Sequence, residues 1–278
     1  MKREMRTPMT DDQARREAGA AIFAEDDVAR CYYARPAYAP ALYDFLLARV
    51  AGRGRALDLG CGPGKVAMVL AGHFGKVVAL DPSAAMIAAG KASEAGRRRN
   101  IVWVNERAET YEDDAGFDLV TAGTSIHWPD AAVLFPKLAG WTATLAVLTD
   151  SPLFPAPAPP CGEAAWIEFL THWLARMGRP APVARQEDAT AEKGPHEAWM
   201  DIAGRELFRH IERQSVEDFI TSQHSRVSWS RASMGKPLAD DFDRALDDLM
   251  RPFATNGRLD LEIASELTWG APRATARP

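Results

Sequence analysis

The sequence predicts an α/β protein with a doubly wound, mainly parallel sheet. Two observations carry that expectation. Short β-rich apolar runs alternate with helical stretches between Arg55 and Leu148, and such alternation means crossover connections joining parallel strands. The first run closes on Gly60-Cys61-Gly62-Pro63-Gly64, at a strand-to-helix junction of the kind where Rossmann-like folds take their ligands.

The elements follow in order. Residues 1–26 are polar and helix-prone, and an aromatic, turn-rich segment runs from Cys31 to Tyr38. Pro36 and Pro40 lead into a helix expected over 41–50. Strands are expected at 55–59, 76–80, 101–104, 117–122 and 142–148, and most of them are apolar nearly throughout, as when helices cover both faces. Helices are expected at 65–74 and 83–95, the second capped by Ser83.

The alternation then breaks. Residues 153–160 are proline-rich and exclude regular structure. An amphipathic helix is expected over 163–177, bearing Trp166, Phe169, Leu170 and Trp173. A polar linker at 181–195 precedes a short helix and a strand within 196–213. Ser215 and Asp218 form a capping box for a helix over 215–226, and another helix is expected over 239–252. The turn Asn256-Gly257 opens a terminal alternating strand over 258–269.

Composition bounds the function. The chain has 278 residues, is 47% hydrophobic and carries a net charge of -5, so it lacks the positive footprint that nucleic-acid binding needs. The block Arg97-Arg98-Arg99 reads as a solvated loop. Cys31, Cys61 and Cys161 form neither a disulfide framework nor a zinc spacing. Residues 1–9 do not read as a signal peptide, and no apolar run approaches the roughly 20 residues of a membrane span. These features predict a cytoplasmic protein, monomer or homodimer, with no metal, no nucleic acid and no membrane among its partners.

The glycine cluster carries the chemistry. Its spacing is GxGxG rather than the GxGxxG of dinucleotide binding, and Asp58 precedes it at the strand end. A carboxylate there repels a pyrophosphate but suits a cationic ligand such as S-adenosylmethionine, with its ammonium and sulfonium. Asp81, at the end of the next strand, can accept both hydroxyls of a ribose. Met86 either covers an adenine face or packs in the core. Two other readings stay open: an NAD-dependent oxidoreductase, which the glycine spacing opposes, and a catalytically silent cofactor-binding module.

The set Asp58 to Gly64, Leu80-Asp81-Pro82-Ser83 with Met86, Ala108-Glu109, and Phe117-Asp118-Leu119-Val120 followed by Ile126-His127-Trp128 resembles the class I S-adenosylmethionine-dependent methyltransferases. Within them it is most similar to the trans-aconitate methyltransferase-like small-molecule group, as is the upstream Tyr33, Arg35-Pro36, Tyr38 element. The match is good over about 28–150 and holds in outline only over 215–273. The resemblance implies a seven-stranded sheet whose last strand is antiparallel.

Carried over by position, the resemblance places Asp58, Gly60, Cys61 and Gly62 along the methionine moiety and Asp81 on the ribose. It sets Pro82 and Met86 beside the adenine, with Ala108 and Glu109 near its amine. Thr124, Ser125 and His127 lie near the methyl group, and Tyr33 and Arg35 on an N-terminal lid. Two departures stand out. The turn before strand five reads Ala139-Gly140-Trp141-Thr142, and Pro136 is expected to interrupt the helix before it.

The organisation expected is a helical lid at 1–40, a cofactor-binding core at 41–150, a helical cap insertion after strand five at 151–200, and a C-terminal return to the sheet with helices at 201–278. The substrate expected is a small metabolite methylated at O, N or C, for example a carboxylic acid or a natural-product intermediate. His127 is either a general base or anchor, or a buttress with Trp128. Trp166 and Trp173 read either as sheet packing or as an apolar wall over the methyl group. Arg226 and Trp229 point into the same space on the second reading.

Overall fold

Seven strands form one sheet in the order β3-β2-β1-β4-β5-β7-β6. The strands are β1 (Arg55–Leu59), β2 (Lys76–Asp81), β3 (Ile101–Asn105), β4 (Leu119–Gly123), β5 (Leu145–Asp150), β6 (Met200–Ser215) and β7 (Arg258–Pro272). This computed structural model describes residues 22–150, 160–180, 194, 196–226 and 228–277. The proline-rich segment 153–159, nearly all of the linker at 181–195 and residues 1–21 of the expected lid lie outside the described residues.

β1 to β5 are mutually parallel, and β7 runs antiparallel between β5 and β6. The expected antiparallel last strand is therefore present. β1 has β2 on one side and β4 on the other. The chain's winding reverses there, which opens a crevice at the carboxyl ends of β1 and β4.

Alternate residues of each strand feed two apolar layers. Ala56, Val77 and Ala79 pack with Leu42, Leu46, Val66 and Leu70 on one face. Leu57, Leu59, Val78 and Leu80 pack with Leu134, Phe135 and Leu138 on the other. The helices supplying these layers are α2 (Pro40–Leu47), α3 (Lys65–Leu70), α4 (Ala84–Ala92) and α5 (Ala131–Trp141), with α1 (Asp26–Tyr32) ahead of them. Trp103 of β3 is wedged between α3 and α4. A Cβ at Gly64 or at Gly90 would each lie 2.3 Å from its ring.

β6 and β7 are much longer than the central strands, and residues 258–264 of β7 pair with β6 alone. A third core covers this extension. It gathers Trp166 and Trp173 of α6 (Glu163–Arg176), Phe219 of α7 (Val216–His224), Trp229, Met234 of α8 (Arg231–Met234), Phe242 and Leu246 of α9 (Lys236–Met250), and Leu259, Leu261 and Ile263 of β7. Packing thus unites α6 with the C-terminal helices, across the division expected at residue 200.

Local signals behave as the sequence indicates. Ser83 accepts from the Met86 amide and Ser215 from the Asp218 amide. Asn256 and Gly257 both have positive φ, closing the tight turn before β7. One expectation fails. α5 runs unbroken through Pro136 and Gly140 to Trp141, because Trp141 is packed edge-on against Phe117 and Tyr111 and anchors the final turn. No helix among the described residues is long and apolar enough to cross a membrane.

Candidate active site

The glycine turn is built around positive backbone angles. Gly60, Gly62 and Gly64 have φ of 64°, 54° and 85°, a region costly for side chains with a Cβ. Gly60 also faces a neighbour, since its Cβ would stand 2.5 Å from Ser125 Cβ. The turn therefore presses directly on the end of β4.

Asp58 lies beneath this turn, 1% exposed. Its carboxylate accepts from the Ala67 amide of α3 at 2.9 Å and from Thr121 Oγ1 of β4 at 3.0 Å. Burial raises its pKa to about 7 against these two hydrogen bonds, and Asp81 adds to the rise. Asp81 accepts from the Gly62 amide and the Ser83 amide, both at 2.8 Å. Burial pushes its carboxyl up as well, and pushes the Cys61 thiol well above its usual range. Cys61 is thereby a wall of the turn, not a nucleophile.

A cavity opens above Asp58, Gly60 and Cys61. Gly123 of β4 and Thr124 just after it close one side, with Lys65 and Val66 of α3 beside the turn. Its roof comes from Tyr32, Arg35, Pro36 and Tyr38, with Arg226 and Ile263 at the far edge. The roof segment is stitched down along its length. Gln214 Nε2 donates to the Ala34 carbonyl, Glu212 accepts from the Ala37 amide at 2.8 Å, and Ser265 Oγ accepts from the Ala39 amide at 3.1 Å. Arg35 donates to Ser225 Oγ and to the Ser225 carbonyl, each at 2.7 Å, and its guanidinium sits over the Tyr32 ring at 4.2 Å. Lys65 Nζ donates to the Arg35 carbonyl.

Of the residues expected at a site, Asp58, Gly60, Cys61, Arg35, Thr124 and Arg226 line this cavity. Gly62 and Asp81 join it through their shared hydrogen bond. Ser125 lies behind it, its hydroxyl donating to the Leu59 carbonyl. Pro82 follows Asp81 at the end of β2, and Ala108 is buried among the apolar residues under the β1–β4 face.

The other expected residues stand outside the lining of this cavity. Tyr33 does not line the cavity: its hydroxyl reaches the Ala89 carbonyl at 2.9 Å and the Pro63 carbonyl of the glycine turn at 3.3 Å, and Tyr32 takes the place above the cavity. Met86 is packed under α1 with Val28 and Ala29. Glu109 is engaged away from the cavity: it accepts from the Asp130 amide at the start of α5 and pairs with Arg107. His127 is exposed and lies against Trp128, ring centroids 4.9 Å apart. Trp128 in turn meets Phe23 edge-on. Trp166, Trp173 and Trp229 do not line the cavity: Phe242 of α9 packs against Trp173 and Trp229, Trp166 packs against Phe169 and Phe219, and all three belong to the third core.

Sequence reasoning assigned no role to Tyr32, Tyr38, Lys65, Val66, Gly123 or Ile263. Lys65 carried a usable signal, since it follows the last glycine of the turn. Ile263 carried none, being one of several alternating apolar residues in β7.

The residues present fit S-adenosylmethionine. A buried carboxylate stands below a turn of bare backbone, a second carboxylate ends the neighbouring strand, and cationic side chains stand opposite. Comparison with known proteins agrees. Residues 56–143 match the model of a methyltransferase domain. The trans-aconitate 2-methyltransferase of Methylobacterium radiotolerans is 29% identical over 191 residues, 68% of this chain and 71% of that one. The chain is an S-adenosylmethionine-dependent methyltransferase.

A second trans-aconitate 2-methyltransferase, from Methylobacterium nodulans, is 28% identical over 215 residues, 71% of this methyltransferase and 75% of the relative. The fold of the methyltransferase is shared with a protein assigned as a type II methyltransferase of Anaeromyxobacter dehalogenans. The TM-score is 0.61 at 23% identity, covering 87% of this chain and 99% of the other.

Proposed function

We propose that this methyltransferase acts on a small organic acid and methylates a carboxylate oxygen. One observation carries the reading. Arg35, Lys65 and Arg226 stand around a cavity whose lining contains a single carboxylate, Asp58. Asp58 and the bare backbone of Gly60 and Gly62 would hold the methionine end of the cofactor, and Asp81 its ribose. S-adenosylmethionine, whose own charges sum to plus one, supplies a methyl group activated on a sulfonium.

An acceptor in this partly enclosed space would stand beside the cofactor's positive charge and three cationic side chains of the lining, where charge interactions are far stronger than in water. An anionic acceptor is the one such surroundings favour. A carboxylate needs no proton removed before it attacks, so the exposure of His127 is no obstacle. Alignment at close range then supplies most of the rate. Arg35 is pre-set for this by Ser225, which takes Nε and one Nη2 hydrogen, and by the Tyr32 ring; its Nη1–H and second Nη2–H are the donors that would meet a carboxylate in two hydrogen bonds. The relatives named for trans-aconitate methylation support an acid of that kind.

The test is incubation with methyl-labelled cofactor and a panel of small acids that includes trans-aconitate, beside amines and phenols of similar size. Label released as methanol by mild base marks an ester. Label confined to amines, or stable to base, would overturn the reading.

A further inference from the structure

His224, the last residue of α7, is 0% exposed and stands outside the cavity lining. Its ring meets Phe242 edge-on at 5.7 Å between centroids. Nδ1 lies 2.7 Å from the Trp229 carbonyl, and Nε2 lies 2.5 Å from Asp243 Oδ1 of α9. A carbonyl can only accept, so Nδ1 carries a hydrogen. Asp243 is ionised: against its burial, the hydrogen bond and charge of His224 and the charge of Arg231 hold its carboxyl below the usual range. Nε2 therefore donates as well, and the ring is an imidazolium with both hydrogens engaged.

Two lines of contact run from this pair to one side chain of the cavity roof. On the first, the His224 ring closes a corner of main chain. Trp229 accepts from the ring through its carbonyl, and its amide donates to the Arg226 carbonyl at 3.0 Å. Within that corner stands Ser225, fully buried, which takes Nε and Nη2 of Arg35. On the second line, Arg231 of α8 donates from Nη2 to Asp243 Oδ2 at 3.4 Å. Arg231 Nη1 reaches Cys31 Sγ at 3.4 Å and Asp27 Oδ2 at 3.7 Å. Both belong to α1, whose last residue, Tyr32, offers its ring to the Arg35 guanidinium. Both supports of Arg35 thus lead back to the Asp243 carboxylate.

A buried ion pair is a poor source of stability, because desolvation offsets most of its attraction. What such a pair supplies is position, since each of its hydrogen bonds has a fixed direction. We propose that Asp243, through His224 on one side and Arg231 on the other, is a positioning residue that sets the Arg35 guanidinium to meet an anionic acceptor. Neither Asp243 nor His224 lines the cavity, so their effect reaches an acceptor through Arg35. The floor of the site, with Asp58, Gly60 and Asp81, takes no part in either line of contact. The inference rests on the acceptor role proposed above for Arg35, but the placement of the guanidinium can be read without any acceptor.

Heteronuclear NMR tests this directly. The Arg35 Nε–H signal is assigned by its absence in Arg35→Lys, and the His224 ring signals by their absence in His224→Gln. The wild-type ring should show a hydrogen on each nitrogen. In Asp243→Asn and in His224→Gln the Arg35 signal should shift and exchange at least about tenfold faster with solvent. Affinity for S-adenosylhomocysteine should stay within about twofold of the wild type. With an acid from the labelled panel as acceptor, KM should rise about fivefold at nearly constant kcat. His224→Gln added to Arg35→Lys should raise KM no further, since the two act through one contact. An unchanged Arg35 signal overturns the proposal, as does a His224 ring with a single hydrogen. A loss of cofactor affinity as large as the rise in KM marks general loosening and overturns it too. Asp243 is only half-buried, so Asp243→Asn decides the question if His224→Gln fails to fold. Should the panel show no methylated acid, the NMR results still judge the placement of Arg35, so the two readings fail separately.

Discussion

The Gly62 amide donates to Asp81 Oδ2 at 2.8 Å, so the glycine turn after β1 and the acidic end of β2 are one unit. Removing the carboxylate disturbs both at once. Asp81→Ala should weaken S-adenosylhomocysteine at least about tenfold, a loss on the order of 1.4 kcal/mol, with the ribose contact and the turn geometry failing together. Calorimetric titration checks this, and undiminished affinity would remove Asp81 from the cofactor site.

Asp58 makes affinity depend on pH. Its folded pKa is raised to about 7 by burial, above the ordinary value near 4. The proton is therefore held more tightly in the folded state. The stability this contributes is full below about pH 4 and is lost as pH rises toward 7. The cofactor's ammonium needs the ionised form, so affinity should rise from pH 6 to 8 while the unliganded melting temperature drifts down. Asp58→Asn should flatten both trends. A wild-type affinity independent of pH over that range would contradict the assignment.

Arg35 tests the roof. Its two hydrogen bonds to Ser225 use the planar fork that lysine lacks. Arg35→Lys keeps the charge but should raise the KM for an acid acceptor about tenfold, near 1.4 kcal/mol, and Ser225→Ala should move it in the same direction by less. Unchanged KM in both variants would make the roof a passive cover.

Trp103 supplies a stability prediction remote from charge. A Cβ at Gly90 would meet its ring at 2.3 Å, and Gly64 closes the other side. Gly90→Ala should cost about 1–3 kcal/mol through overpacking, despite the better helix propensity of alanine. Denaturant unfolding measures it. A variant as stable as the wild type would show that the ring can swing aside.

The floor of the site could be read from the sequence because its chemistry is local. Asp58, the three glycines, Asp81 and Ser83 lie within one strand-turn-helix-strand run, and their spacing alone constrains where they meet. The roof could not be read in the same way. Tyr32 and Tyr33 are adjacent aromatics, and which one turns inward depends on how α1 docks, a tertiary fact. The aromatic residues of α6 have the helical spacing of either a cap or a core. Phe242, some seventy residues later, decides for the core by packing against Phe169 and Trp173 at 5.4 and 5.3 Å between centroids. Pro136 was expected to break α5. Its removal of one amide donor is outweighed by the packing of Trp141 at the helix end.

The bond between Arg35 and Ser225 also bears on how the molecule is made. A growing chain that has reached Asp150 already contains the glycine turn, both acidic strand ends and Thr124. It does not yet contain Ser225, or Gln214, Glu212 and Ser265, to which the segment around Arg35 is fastened. The cofactor's floor is thus encoded early and its cover late. During synthesis a half-made chain has no closed cavity in which to spend a methyl group, and competence arrives only with the final two strands.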